Sequence, residues 1–204
     1  MTMTIYFAAN SRAVRAVWLF EELELPYDLK VFKLGERAMR EPDYLKVHPM
    51  GRVPALVDGD TIIMESGAIV QYVLAKYADG RLAPATDSPE FATYLQWLHY
   101  AEGMIMPPVN TIVVETLFLP EEKRNPVNVE RATKLLGRML SAVDSALEDR
   151  DFLAGEFSGA DIMTGHACVV STRLGADVSD KPRVAAYVER LLARPALQKA
   201  FATK

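Results

Sequence analysis

His48-Pro49-Met50-Gly51-Arg52-Val53-Pro54-Ala55-Leu56-Val57, followed after Asp58-Gly59-Asp60 by Ile62-Ile63-Met64-Glu65-Ser66-Gly67-Ala68-Ile69-Val70, decides how the first part of this chain folds. It reads as a loop, a short apolar strand, a tight turn, a second strand, and an acidic-polar pair heading a helix. Pro54 has no N–H, so it fits the first residue of a strand, where it is a candidate for a cis bond that turns the Val53 backbone outward. An outward Val53 offers its N–H and C=O to an extended ligand, as a neighbouring strand would. Ser66 precedes the helically spaced Ile69, Tyr72 and Val73 and reads as an N-cap, whose hydroxyl and nearby free N–H groups favour an anion. Glu65 beside it suits an ammonium. A carboxylate and an ammonium held side by side describe one end of an amino acid, so the stretch can seat a small peptide. A hairpin and a capped helix without a ligand fit the same residues.

Working back toward the start, Thr4 to Ala8 is a buried strand bounded by Asn10-Ser11, and Tyr27 to Phe32 is a second strand. Between them Ser11 opens a helix with Val14, Val17, Trp18 and Leu23 at helical spacing up to Pro26. Gly35 to Lys46 is charged and loosely helical. The order β-α-β-α-β-β-α through about Tyr77 defines an α/β layer domain over residues 1–79, with a parallel start and a terminal hairpin. Residues 80–89, rich in Gly, Pro, Asp and small side chains, form a linker.

From 90 to 204 only helical patterns occur. Phe91, Leu95, Leu98 and Ala101 fall on one face of a helix that Pro107-Pro108 must kink or interrupt. Ala132, Leu135, Leu136, Met139, Leu140, Val143 and Leu147 give the cleanest amphipathic stripe. Ser158-Gly159-Ala160-Asp161 is a Ser-x-x-Asp capping box ahead of the apolar run from Ile162 to Val170. Val184, Val188, Leu191 and Leu192 mark a last helix before Pro195.

The 204 residues are half hydrophobic and carry a formal charge of -4 that is spread evenly, with 9 basic and 11 acidic groups in residues 1–80. That balance argues against a nucleic-acid partner. The lone Cys168 excludes an internal disulfide and fits a reducing cytoplasm. No apolar run approaches the ~20 residues of a membrane span, and Met1 to Phe7 lacks the pattern of a signal peptide. His48, His99 and His166 lack metal-ligand spacing, so no metal is expected; His166 and Cys168 read as core.

Ser11 stands at a strand-to-helix turn, where its hydroxyl could donate to a bound thiolate that also feels the positive end of the helix. A hydrogen bond to a charged group is worth roughly 1.5–3 kcal/mol and the dipole ~0.3–2 kcal/mol. Together they can bring a thiol from a pKa of ~8.5 to about 6–7. A plain N-cap is the alternative for Ser11, and the amide of Asn10 could donate the same bond. The run Trp97, His99, Tyr100, Met104, Met106 is either core or a soft apolar wall.

Taken together, the chain resembles the cytosolic glutathione S-transferases, in the bacterial, serine-type, theta-like pattern. The resemblance is carried by Asn10-Ser11-x-x-x-Arg15-Ala16-Val17-Trp18-Leu19-Phe20-Glu21-Glu22-Leu23, by Pro49-x-Gly51-Arg52-Val53-Pro54-Ala55-Leu56, by Glu65-Ser66-Gly67-Ala68-Ile69, and by Phe152-Leu153-Ala154-Gly155 with Ser158-x-Ala160-Asp161-Ile162. It implies a thioredoxin-like N-terminal domain and an all-helical C-terminal domain, in a cytoplasmic homodimer. Glutathione would lie with its cysteinyl backbone on Val53, next to Pro54, its γ-glutamyl end at Glu65 and Ser66, and its glycyl carboxylate near Arg52, with His48 a further contact. Ser11 or Asn10 would activate the thiol, and Tyr100, Met104 and Met106 would wall the second substrate. The implied reaction is conjugation of the glutathione thiolate to an apolar electrophile, as in detoxification. A glutathione-dependent isomerase, peroxidase or dehalogenase, or a non-catalytic interaction protein, fits the same fold.

Overall fold

A computed structural model describes residues 2–204, and the chain divides into two compact units, Met1–Ala83 with Leu192–Lys204 and Pro84–Leu191.

The first unit is built on β1 (Met3–Ala8), whose Ile5 and Phe7 are fully buried and whose Tyr6 is 8% exposed. A strand apolar on both faces must be covered on both, and β1 accordingly occupies the interior of a sheet of order β2-β1-β3-β4. β2 (Tyr27–Phe32) pairs with it in parallel and β3 (Ala55–Asp58) antiparallel; β4 (Thr61–Met64) closes the hairpin on β3. α1 (Ala13–Leu23) and α3 (Ser66–Tyr77) pack together over one face. On the other face Tyr6 meets Met39, Tyr44, Phe32 and Val53. The loosely helical stretch resolves there into a 3-10 turn (Arg37–Arg40) and the single-turn α2 (Pro42–Leu45).

The division of the chain differs from the sequence expectation at its end. A last helix before Pro195 is only part of what forms: α8 (Pro182–Leu192) is followed by α9 (Pro195–Ala202), which packs on α1 as part of the first unit rather than the helical one. Arg194 forks onto both carboxylate oxygens of Glu22 at 2.6 and 2.7 Å, and Lys199 reaches Glu21 at 2.8 Å.

The second unit contains α4 (Phe91–Tyr100), α5 (Met106–Val113), α6 (Pro126–Ala146) and α7 (His166–Arg173), together with α8. Its buried face on α4 is Tyr94, Trp97, Leu98, running into Ala101; Phe91 and Leu95 are only partly covered. Pro107 and Pro108 do not end the helical run. A π-turn over Ala101–Ile105 resets the hydrogen-bond register, so the proline pair enters the first turn of α5, where a missing N–H does no harm. On α6 the predicted stripe is buried except for Leu135, which is 44% exposed. The Ser158–Asp161 box forms: Asp161 accepts from the Ser158 N–H at 2.9 Å and the Ser158 hydroxyl at 3.2 Å, and also from the Leu153 N–H at 3.0 Å and the Tyr187 hydroxyl at 2.7 Å. His166 and Cys168 are buried, and burial pushes the Cys168 thiol up to about 12. Among the described residues no helix is long and apolar enough to cross a membrane.

Candidate functional site

Strand register brings the predicted residues of the first unit to one edge. Tyr6 pairs with Ala55 and Ala55 with Met64. Continued by two residues, the two registers put Val53 level with Ala8 on one side and Ser66 on the other. The end of β1, the start of β3 and the end of β4 therefore meet, and each delivers one predicted contact close to its end. The Val53–Pro54 peptide is cis, and among the described residues no backbone hydrogen bond outside the helices and strands uses the N–H or C=O of Val53.

Ser11 lies in the turn after β1, ahead of α1. Its hydroxyl donates to the Ala8 carbonyl at 2.6 Å and accepts from the Ala13 N–H at 3.1 Å, so it caps the helix from two residues before Ala13. The proton a thiolate would take is thus held by Ala8. A charged acceptor binds a hydroxyl roughly twice as strongly as a neutral carbonyl, so an anion placed beside Ser11 would compete with Ala8 for this proton. Asn10, exposed and at φ 58, stands beside it in the left-handed conformation that Asn tolerates. The ring of Tyr6 joins a cluster with Tyr44 and Phe32, and its hydroxyl accepts from Lys30 at 3.4 Å.

Ser66 is the first residue of α3 rather than its N-cap; the cap position belongs to Glu65, which is exposed and carries φ 71. Ser66 is 3% exposed, and its hydroxyl accepts from Nη1 of Arg15 at 3.0 Å. Arg15, fully buried on α1, is the residue that sequence reasoning missed as part of the site. It locks the head of α3 to α1 and brings a positive charge beneath the anion-favouring end of that helix. The sequence carries no clear signal for this burial, since Ser11 and Arg12 lie one turn before Arg15 and Glu22 two turns after it, and arginine is rarely buried unless it is paired.

The loop between them is pinned. The Gly51 N–H donates to the His48 carbonyl at 2.8 Å, the Met50 N–H to Nδ1 of His48 at 3.3 Å, and the Tyr44 hydroxyl to the Arg52 carbonyl at 2.5 Å. Gly51 is required here, since at φ 58 an added Cβ would stand 2.2 Å from the Met39 carbonyl oxygen. Burial of His48 holds its imidazole below the ordinary histidine range; the nearby Glu65 charge works upward and Arg52 downward. His48 is therefore neutral at pH 7, and because Nδ1 accepts, Nε2 carries the proton. Arg52 itself is exposed.

The Tyr100, Met104, Met106 set is not brought together as one open wall. Met106 is only 5% exposed, and the Tyr100 hydroxyl donates to the Met139 carbonyl at 3.2 Å. Met104, at 42%, is the most exposed of the three and Tyr100 is half-buried, whereas Met106, two positions beyond Met104, falls on the opposite side of the helical run. Among the described residues no group of three His, Cys, Asp or Glu side chains could hold a metal ion.

Along most of its length the chain is similar to known proteins. The family model for the glutathione S-transferase N-terminal domain matches residues 1–75, and that for the C-terminal domain matches residues 105–195. Glutathione S-transferase 3 of Zea mays is 34% identical over 95% of this chain and 90% of its own length, and glutathione S-transferase 4 of the same plant 33% identical over 91% and 85%. Among solved structures, the theta-class glutathione S-transferase of Xanthomonas axonopodis pv. citri with glutathione bound superposes with a TM-score of 0.88, at 29% identity over 100% of this chain and 98% of that one. Glutathione transferase URE2P6 of Phanerochaete chrysosporium, in complex with oxidized glutathione, gives the same TM-score at 28% identity over 98% and 95%. The fold is that of a thioredoxin-like domain with a helical domain, and the chain belongs to the glutathione S-transferase family.

Proposed function

We propose that this protein is a glutathione transferase that joins the glutathione sulfur to an apolar electrophile. The observation that carries the reading is the convergence of Ser11, Val53 and the Glu65-Ser66 pair at one edge of the sheet, in a chain of this family. The cysteinyl backbone of glutathione pairs with Val53 as an added strand does. Glu65 meets the γ-glutamyl ammonium, while the Ser66 hydroxyl and the free N–H groups of α3, above the Arg15 charge, hold its carboxylate. Arg52 takes the glycyl carboxylate, and the Nε2–H of His48 offers its proton to the same acidic end.

Ser11 then turns its hydroxyl from Ala8 to the sulfur, with Asn10 as the second candidate donor. The thiol proton leaves to solvent, and the thiolate attacks the electrophilic carbon. A carbon–sulfur bond forms as the bond to the leaving group breaks and the group departs with its electron pair. Met104 is the member of the predicted wall we assign to the apolar co-substrate. A homodimer, a cytoplasmic location and a role in detoxification complete the reading.

Retention on glutathione resin followed by aryl-halide conjugation tests it. Binding with turnover is the predicted result, and loss of both by the same preparation while it remains folded contradicts it.

A further inference from the structure

We propose that a cavity inside the second unit, separate from the residues assigned to glutathione, binds a small apolar molecule carrying an ammonium group. The cavity has a volume of about 190 Å³ and lies among α5, α6 and the turn that follows α7. Val109 and Ile112 of α5, Leu136 and Leu140 of α6, and Leu174 give it an apolar body. Its size matters: a dry cavity of about 150 Å³ accommodates benzene, so one of about 190 Å³ takes about seven or eight heavy atoms, with a charged group left at the rim.

Its mouth is charged, and the charges are unequal. Lys181 is 6% exposed and its ammonium is already paired with Asp180. Asp177 is the carboxylate left over. Exposed at the surface, it accepts the Ser179 N–H at 2.9 Å; hydrogen bonds from the Ser179 N–H and side chain, with a weaker pull from the Lys181 charge, hold the acid below its usual range, and no ion pair among the described residues uses it. An apolar body with a carboxylate of this kind at the rim complements an aryl or alkyl ammonium. A carboxylate ligand would have to displace Asp180 from Lys181 while facing Asp177. Gly137 leaves the wall open, since a Cβ built there meets nothing within 4 Å. This inference does not depend on the glutathione reading, because none of its residues belongs to the first unit.

The test uses the full chain and three probes of matched size: 2-phenylethylammonium, neutral 2-phenylethanol, and phenylacetate. Titration followed by backbone amide shifts is predicted to move the resonances of Gly137 and Gly175 with the ammonium, at least fivefold more tightly than with the alcohol, and not with phenylacetate. Gly137→Leu fills the space and is predicted to weaken the ammonium at least tenfold; leucine is the better helix former, so the variant keeps its melting temperature or gains. Asp177→Asn is predicted to bring the ammonium down to the alcohol's affinity and leave the alcohol unchanged. The proposal is overturned if none of the probes moves these resonances, if phenylacetate binds as well as the ammonium, or if a folded Gly137→Leu binds undiminished.

Discussion

Replacing Ser66 by alanine separates a ligand contact from a purely structural one. The Ser66 hydroxyl is 3% exposed and takes one hydrogen bond, from Nη1 of Arg15 at 3.0 Å, while its own proton is available to a carboxylate at the head of α3. Two effects follow from one oxygen. A buried donor on Arg15 loses its acceptor, which destabilises the fold by about 1–3 kcal/mol. Glutathione loses a hydrogen bond to its charged γ-glutamyl carboxylate, worth roughly 1.5–3 kcal/mol, so its dissociation constant rises by about one to two powers of ten. Calorimetric titration reads the second effect, and thermal unfolding without ligand reads the first. Titration well below the melting temperature keeps the two apart. Affinity within twofold of the parent, in a variant that shows the stability loss, refutes the anion role and leaves Ser66 as a structural partner of Arg15.

Asp161→Ala removes the acceptor of two buried N–H groups and of the Tyr187 hydroxyl, and a buried donor left unsatisfied costs about 1–3 kcal/mol; urea unfolding at constant slope would show it, and a loss below about 1 kcal/mol would contradict that cost. Gly51→Ala forces a Cβ into the Met39 carbonyl and is predicted to lower both the melting temperature and glutathione affinity, since the pinned loop also carries Arg52 and Val53. Asp58 accepts from Lys76, Tyr77 and Tyr72, and these partners, Lys76 first, pull its carboxyl down to about 2. Its folded pKa is depressed, so its stabilisation is complete above the ordinary range near 4 and is lost as pH falls toward 2. Melting curves across that window are predicted to lose part of their slope in Asp58→Asn.

Much of the fold is legible in the residues because the first unit obeys local rules. Period-two and period-3.6 patterns, with Pro26, Asp58-Gly59-Asp60 and Pro54 as punctuation, place every strand, and the site residues sit where strands end. α9 is not legible in this way. It has eight residues, buries mainly Leu197 and Ala200, and is fixed by Arg194 and Lys199 reaching acids on α1 more than 170 positions earlier. The π-turn at Ala101–Ile105 is equally hidden, since a 3.6-residue period has no place for a wider turn. Arg15 reads as one position of a motif, and its burial and its bond to Ser66, 51 positions later, belong to the tertiary structure. Ser11 is legible as a residue of the strand-to-helix turn, but the direction of its proton, toward Ala8, is a matter of geometry that no pattern contains.

If this edge of the sheet binds glutathione with its sulfur ionised near neutral pH, the bound thiolate is directly visible in the ultraviolet. Its absorbance is measured as a function of pH for the parent, Ser11→Ala and Asn10→Ala. An apparent pKa of about 6–7 is predicted in the parent, raised by about one to two units when the donor is removed. If Asn10→Ala gives that rise and Ser11→Ala does not, the donor is Asn10. A bound thiol that titrates near ~8.5 in all three proteins contradicts thiolate activation at this edge.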